Sequence, residues 1–241
     1  MSVRFPVWMN LLPTVGAIGG ALGLIAAITI VTYYFTPKYW EVGYMPTQPG
    51  SGFSHQIHAG KLGMDCRYCH TNVEKSAEAN VPPVSTCMGC HTEGMLSPVY
   101  DPAEKVEFVR TAWTEDASIP WDRIHKLPDY VRNFPHHIHV NAGVSCYSCH
   151  GQIEAMPVVY QAEPLSMSWC LDCHRGVGDA LEGHGDPADF LVPKDKVTDL
   201  EWVETAWLGD MAGTQAQIAS AKAVLEGIRQ MPPENCGACH Y

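Results

Sequence analysis

The chain has 241 residues, of which 46% are hydrophobic, and it carries a formal net charge of −11 at pH 7. This length allows one domain or two, and the hydrophobic fraction is ordinary for a protein that folds. The acidic charge argues against nucleic acid as a partner, because phosphates attract basic surfaces, and it suits basic or neutral protein faces instead.

An uncharged segment of 33 residues lies between Arg4 and Lys38. As a helix, residues 12–35 would extend about 36 Å, which is enough to cross a bilayer core of about 30 Å. The apolar region of a cleaved signal peptide has only about 7 to 15 residues. We therefore predict that residues 1–37 contain a single transmembrane helix. Its two overlapping GxxxG spacings favour packing against another membrane helix. Residues 38–52 are rich in Pro and Gly, which predicts a linker.

All ten cysteines fall in five CxxCH motifs, numbered here sites 1 to 5 in chain order. In CxxCH, two thiols attach covalently to a c-type haem and the histidine becomes an axial iron ligand. Chance would produce about 0.02 such motifs in this chain, so zinc, disulfide and redox dithiol readings are poor alternatives. We predict five covalently attached haems c. The attachment residues are Cys66, Cys69, Cys87, Cys90, Cys146, Cys149, Cys170, Cys173, Cys236 and Cys239, and the proximal iron ligands are His70, His91, His150, His174 and His240.

An internal repeat organises residues 53–241. The pattern FxHxxH at residues 53–58 is followed by two CxxCH motifs, and the same order recurs from residues 134–139. Residues 107–113 are also echoed at residues 201–207. These repeats predict two duplicated two-haem modules, residues 53–113 and 134–207, with the fifth haem in residues 208–241. A helix is predicted at residues 215–229, with Thr214 as its N-cap.

The fold class follows from these patterns and from the 18 prolines and 21 glycines that interrupt most runs. We predict a multihaem cytochrome c of mainly short α-helices and loops around stacked haems, with one N-terminal transmembrane helix.

The sixth iron ligand, distal to the motif histidine, decides between electron transfer and catalysis, because an empty position permits chemistry at the metal. The FxHxxH pattern resembles the small periplasmic class III multihaem cytochromes. That resemblance implies that His55 is the distal ligand at site 1 and His136 at site 3, and that His58 and His139 reach other haems. His125 is a further candidate. A methionine thioether as distal ligand would raise the reduction potential of its haem. Three methionines are possible distal ligands of this kind: Met156, Met167 and Met231.

Two other histidines are weaker candidates. His137 corresponds to Gln56 in the repeat, so a surface position or a place beside a ligand is its default. His184 lies in the loop LEGHGDP, which has no counterpart in the repeat.

A more specific resemblance covers most of residues 40–175. The runs GMDCRYCH, TCMGCH, IHKLPDYV, FPHHIHVNAGVSCYSCHG and VVYQAEPLSMSWCLDCHR resemble the pentahaem subunit of bacterial alternative complex III. Pro135 and His137 depart from that pattern without disturbing the ligands. The resemblance implies quinol oxidation by integral membrane quinol-binding subunits, with an iron-sulfur subunit and a monohaem cytochrome as further partners. Electrons would leave towards a cytochrome c, another periplasmic carrier or a terminal oxidase.

Three functions compete at this point. We predict an electron-transfer subunit without catalytic residues of its own, held in the cell inner (cytoplasmic) membrane by one helix. Its haem domain would lie on the periplasmic side, where c-type haem is attached. The alternative is a stand-alone membrane-anchored multihaem quinol dehydrogenase. Such a protein would place its first haem close to the membrane helix, where quinol can meet it, whereas about 30 residues separate Phe35 from Cys66. A haem-catalysed reductase is disfavoured, because the CxxCK motif of multihaem nitrite reductases is absent from the sequence.

Overall fold

The computed structural model describes residues 6–32 and 53–240, except residues 122, 126, 128–130, 132–133, 210–212 and 229. The predicted linker, residues 38–52, lies outside the described residues. Every regular element in the described part of the chain is helical, and no strand occurs there. The helices are α1 (Leu12–Ile30), α2 (Cys66–Cys69), α3 (Val84–His91), α4 (Ala103–Thr114), α5 (His136–Asn141), α6 (Cys146–His150), α7 (Met167–Leu181), α8 (Leu200–Trp202), α9 (Gln215–Glu226) and α10 (Cys236–Cys239).

The N-terminal helix combines a 3-10 turn, Val7–Leu11, with α1, and it carries no acidic or basic residue in its terminal turns. It is long and apolar enough to cross a membrane, and none of it is buried against the rest of the protein. Helices of this length and composition occur both as membrane anchors and as signal sequences. The last three residues of the predicted span, 33–35, lie outside the described residues.

Side-chain caps begin the helices at sites 1, 3 and 4, whereas α3 at site 2 and α10 at site 5 have no side-chain cap. Asp65 accepts a hydrogen bond from the backbone N–H of Arg67 at the start of α2, and Ser145 accepts one from Tyr147 at the start of α6. Such caps satisfy backbone donors that a helix start leaves unpaired. Helix α9 begins where the sequence predicts, with the Thr214 hydroxyl as its cap.

The buried core contains two small aliphatic clusters. Their members are Val73, Val140, Val192 and Val197 in one, and Val109, Ala112 and Ile119 in the other. Cys146 packs against the first cluster and Cys87 against the second, so predicted haem-attachment residues border both. Every aromatic side chain in the described residues is at least partly exposed.

The echoed residues 107–113 and 201–207 have similar but unequal environments. Helix α4 buries Val109 and Ala112, and the turn Val203–Trp207 buries Val203 and Ala206 at the corresponding positions. The indole N–H of Trp207 donates a hydrogen bond to the Ala188 carbonyl at 2.5 Å, whereas Trp113 is 51% exposed.

Candidate haem sites

Six of the predicted iron ligands have the Nδ1 atom of the ring held by an oxygen. When Nδ1–H donates a hydrogen bond, the Nε2 atom keeps its lone pair for a metal ion. This arrangement fixes the tautomer and ring orientation of metal-binding histidines. The acceptors are Ser54 O for His58 (2.9 Å), Asn80 O for His70 (2.6 Å), Asp101 Oδ1 for His91 (2.5 Å), Ala77 O for His136 (2.7 Å), Pro135 O for His139 (3.0 Å) and Pro233 O for His174 (2.6 Å).

Three pairs of histidine rings face each other across a gap. Two imidazoles bound to opposite sides of one metal ion place their ring centroids about 6.3 Å apart, because each metal–nitrogen bond is about 2.0 Å long. The observed centroid separations are 6.5 Å for His55 and His70, 6.0 Å for His58 and His91, and 6.2 Å for His139 and His174. These three gaps therefore fit an iron ion with one histidine on each face.

A phenylalanine orients the two histidines of each FxHxxH segment. Phe53 stacks on His58 with centroids 4.5 Å apart and meets His55 edge-on at 4.8 Å. In the second segment Phe134 stacks on His139 at 4.6 Å and meets His136 edge-on at 5.3 Å. The interplanar angles agree within a few degrees between the two segments, so the echoed residues also share a local geometry.

Site 3 differs from the other paired sites. The rings of His125 and His150 are only 4.2 Å apart and nearly perpendicular, which is too close for an iron ion between them. Burial, and then the neighbouring His125 and His136, hold the pKa of His150 well below its usual value. The imidazole of His150 is therefore neutral, which is the form that binds a metal. The structure thus brings two candidate distal ligands, His125 and His136, close to one proximal histidine.

No disulfide joins any of the ten cysteines. The Cys66 thiol donates a hydrogen bond to the Thr198 carbonyl at 3.9 Å, and the N–H of Cys146 donates one to the Val197 carbonyl at 3.1 Å. The side chains of Cys66 and Cys146 are close enough to interact with each other. In the described residues no three His, Cys, Asp or Glu side chains gather around a common metal position.

The remaining candidates differ in their burial. Met156 is buried and its carbonyl accepts a hydrogen bond from the N–H of Gln56, whereas Met167 and Met231 are 68% and 52% exposed. His184 is exposed, and the buried Nδ1 atom of His137 has no hydrogen-bond partner.

The hydrogen-bond partner of His91 is not predicted by any motif in the sequence. The side chain of Asp101 is 1% exposed, and its second oxygen accepts a hydrogen bond from Arg110 at 2.5 Å. Asp101 lies ten residues beyond the motif, and no sequence pattern links it to the motif histidine. Only the packing of α4 against α3 brings Arg110 and Asp101 to this place.

No protein-family model matches the chain. The chain is 28% identical over 134 residues to the multiheme cytochrome c subunit of menaquinone reductase from Nitratidesulfovibrio vulgaris. The match covers 56% of this chain and 60% of that relative, so the chain spans about three fifths of the relative's length. The similarity and the helical structure, which has no strand in the described residues, confirm the predicted fold class, a multihaem cytochrome c. The similarity also supports covalently bound c-type haems.

Proposed function

We propose that this protein relays electrons through five covalently attached c-type haems as a subunit of a quinol-oxidising membrane complex of the alternative complex III kind. The observation that carries the proposal is the set of three facing histidine pairs, 6.0–6.5 Å apart. A strong ligand on each face leaves iron no open position for a substrate, which suits electron transfer rather than catalysis. When bound, haem c supplies one-electron exchange between ferric and ferrous iron.

Each site has proposed ligands from this chain. The proposed distal and proximal pairs are His55 with His70, His58 with His91, His136 with His150 and His139 with His174. We prefer His136 to His125 at site 3, because the Nδ1 atom of His136 is held by a backbone carbonyl, as it is in the proposed distal ligands His58 and His139. At site 5 the distal ligand of His240 is proposed among Met231, Met167 and Met156, of which Met231 is nearest in sequence.

The contacts between sites support an unbranched row in the order 2–1–3–4–5. His55 and His58 lie one helical turn apart and face the proximal histidines of sites 1 and 2, which makes those two sites neighbours. His139 faces the proximal histidine of site 4 from the same short helix, α5, that contains His136 of site 3.

The other two links join the modules and the fifth site. Contact between Cys66 and Cys146 brings sites 1 and 3 together. His174 of site 4 donates to the carbonyl of Pro233, three residues before Cys236. A row of this kind, with each site beside the next, supports electron transfer from one end of the domain to the other.

The membrane assignment is part of the same proposal. Helix α1 would anchor the chain as a single pass in the inner membrane, with the duplicated modules 53–113 and 134–207 on the periplasmic side. The similar protein is named as a subunit of a menaquinone reductase, which supports partner subunits for this chain. We propose that these are integral membrane quinol-binding subunits, an iron-sulfur subunit and a monohaem cytochrome.

Stopped-flow reduction by a menaquinol analogue tests the relay. The purified chain, with its haems counted by mass spectrometry, is compared with the intact detergent-solubilised complex. We expect five haems in the purified chain. Rapid reduction should occur only in the intact complex, because the quinol site belongs to a partner. Equally rapid reduction of the isolated chain would show that it is itself a quinol dehydrogenase, and a count other than five would overturn the pentahaem assignment.

A further inference from the structure

A buried carboxylate distinguishes site 2 from the neighbouring sites. The Nδ1 atom of His91 lies 2.5 Å from Oδ1 of Asp101, whose side chain is 1% exposed. At sites 1 and 4 the corresponding atom of the proximal histidine faces a neutral backbone carbonyl, that of Asn80 or Pro233, at 2.6 Å. The hydrogen-bond lengths are similar, so the difference between the sites is the charge on the acceptor.

The acceptor's charge affects the electronic character of the iron ligand. A carboxylate draws the Nδ1 proton towards itself, which makes the imidazole a stronger electron donor to a metal at Nε2. A stronger donor stabilises ferric iron more than ferrous iron. Hydrogen bonds to the ligands and local charge are among the means by which a protein sets a haem potential.

We propose that Asp101 is a positioning and tuning residue that lowers the reduction potential of the haem at site 2. The inference rests on the proposed function, because it assumes an electron-carrying haem attached there. Site 2 lies at one end of the proposed row, so a lowered potential suits it to the end that receives electrons.

Arg110 holds this carboxylate in place. Its Nη2 donates to Oδ2 of Asp101 at 2.5 Å, and its Nε donates to the carbonyl of His91 at 3.0 Å. The guanidinium offsets part of the carboxylate charge, which makes burial of Asp101 tolerable. It bonds the oxygen opposite the imidazole, so Oδ1 stays available to His91.

Redox potentiometry of the holoprotein, followed by optical and EPR spectra, tests the proposal in three variants. Asp101→Asn removes the charge at nearly constant volume. Asp101→Asn with Arg110→Met removes both members of the ion pair and leaves their summed charge unchanged. Glu107→Gln is the matched control, because Glu107 is an exposed carboxylate on α4, the helix that also contains Arg110.

We expect both Asp101 variants to raise one haem midpoint. At a fixed ambient potential the ferrous-to-ferric ratio of that haem should rise about tenfold, which corresponds to about 59 mV for one electron. Glu107→Gln should leave all midpoints within a small fraction of that shift. The double variant replaces a buried ion pair by neutral side chains, a change that proteins often tolerate. It therefore still allows the test if Asp101→Asn alone does not fold.

Three results would overturn the proposal: unchanged midpoints in both Asp101 variants, equal shifts in the Glu107 control, or a double variant that returns to the wild-type midpoints. The last result would assign the effect to summed charge rather than to the bond with His91. The measurement uses no quinol, so failure of the tuning proposal would leave the relay proposal to its own stopped-flow test.

Discussion

The two FxHxxH segments agree at one histidine and differ at the other. The second histidine of each, His58 or His139, stacks on its phenylalanine and donates a hydrogen bond from Nδ1 to the carbonyl four residues before it. Its ring centroid lies 6.0 or 6.2 Å from that of a proximal histidine, a distance that fits an iron ion between the rings. The first histidines differ, because His55 faces His70 at 6.5 Å, whereas at site 3 His125 occupies the space against His150.

This difference shows that the second histidine is placed by contacts within its own segment and the first by contacts with distant residues. The phenylalanine and the i−4 carbonyl position the second histidine, so the repeated sequence reproduces its geometry. The first histidine depends on other parts of the fold. The Nδ1 atom of His136 donates to Ala77, 59 residues away, whereas that of His55 is buried without a hydrogen-bond partner.

Removing the shared histidine should have the largest effect. His58→Ala and His139→Ala should each convert one haem of the five to the high-spin state, because iron loses its strong sixth ligand. EPR and resonance Raman spectra of the ferric protein report the high-spin fraction. Exogenous imidazole should restore the low-spin spectrum in both variants.

The exposed His184 supplies the control, since His184→Ala should leave all haems low-spin. A high-spin haem in only one of the two variants would show that the segments do not bind iron in equivalent ways.

The sequence predicts the parts of these sites whose chemistry is local. CxxCH predicts the attachment cysteines and the proximal ligand within five residues, and the apolar run at residues 12–35 predicts the N-terminal helix. The helical content and absence of strands in the described residues follow from the short runs between prolines and glycines.

The other features depend on contacts between residues far apart in the chain. Cys66 and Cys146 meet because both touch the segment 197–198, and the Cys66 contact with Thr198 joins residues 132 positions apart. No sequence motif predicts either contact. Asp101 reaches His91 through the packing of α3 and α4, which a pattern of apolar residues does not specify at this detail.

The first histidine of the second segment is the next point to test. His136→Ala should convert the haem at site 3 to the high-spin state, whereas His125→Ala should leave five low-spin haems, because His136 has an anchored Nδ1 atom like those of His58 and His139. The same spectra provide the measurement. A high-spin haem in His125→Ala alone would assign the site to His125 and show that the duplication lost its first distal ligand.

The two caps at the first CxxCH motif of each module differ in charge, which predicts a smaller, pH-dependent effect. Asp65 caps α2 and accepts a hydrogen bond from Thr198, and Ser145 caps α6 and donates one to the Val197 carbonyl. Hydrogen bonds from Arg67 lower the pKa of Asp65 from its usual 3.8 to about 2. Ser145 has no charge to titrate near this range.

A carboxyl whose pKa is lower in the folded state stabilises the fold above its unfolded pKa, and this contribution is lost as the pH falls from about 4 towards 2. The Asp65 side chain is 46% exposed, so solvent screening reduces its contribution at pH 7 to about 1 kcal/mol.

Asp65→Asn should lower the unfolding free energy of the holoprotein by that amount at pH 7 and by about half of it at pH 3. Ser145→Ala should cost about 1 kcal/mol at both values, because a neutral cap is lost. Denaturant titrations at the two pH values measure both differences, and a pH-independent loss in Asp65→Asn would show that its cap, rather than its charge, supports the module.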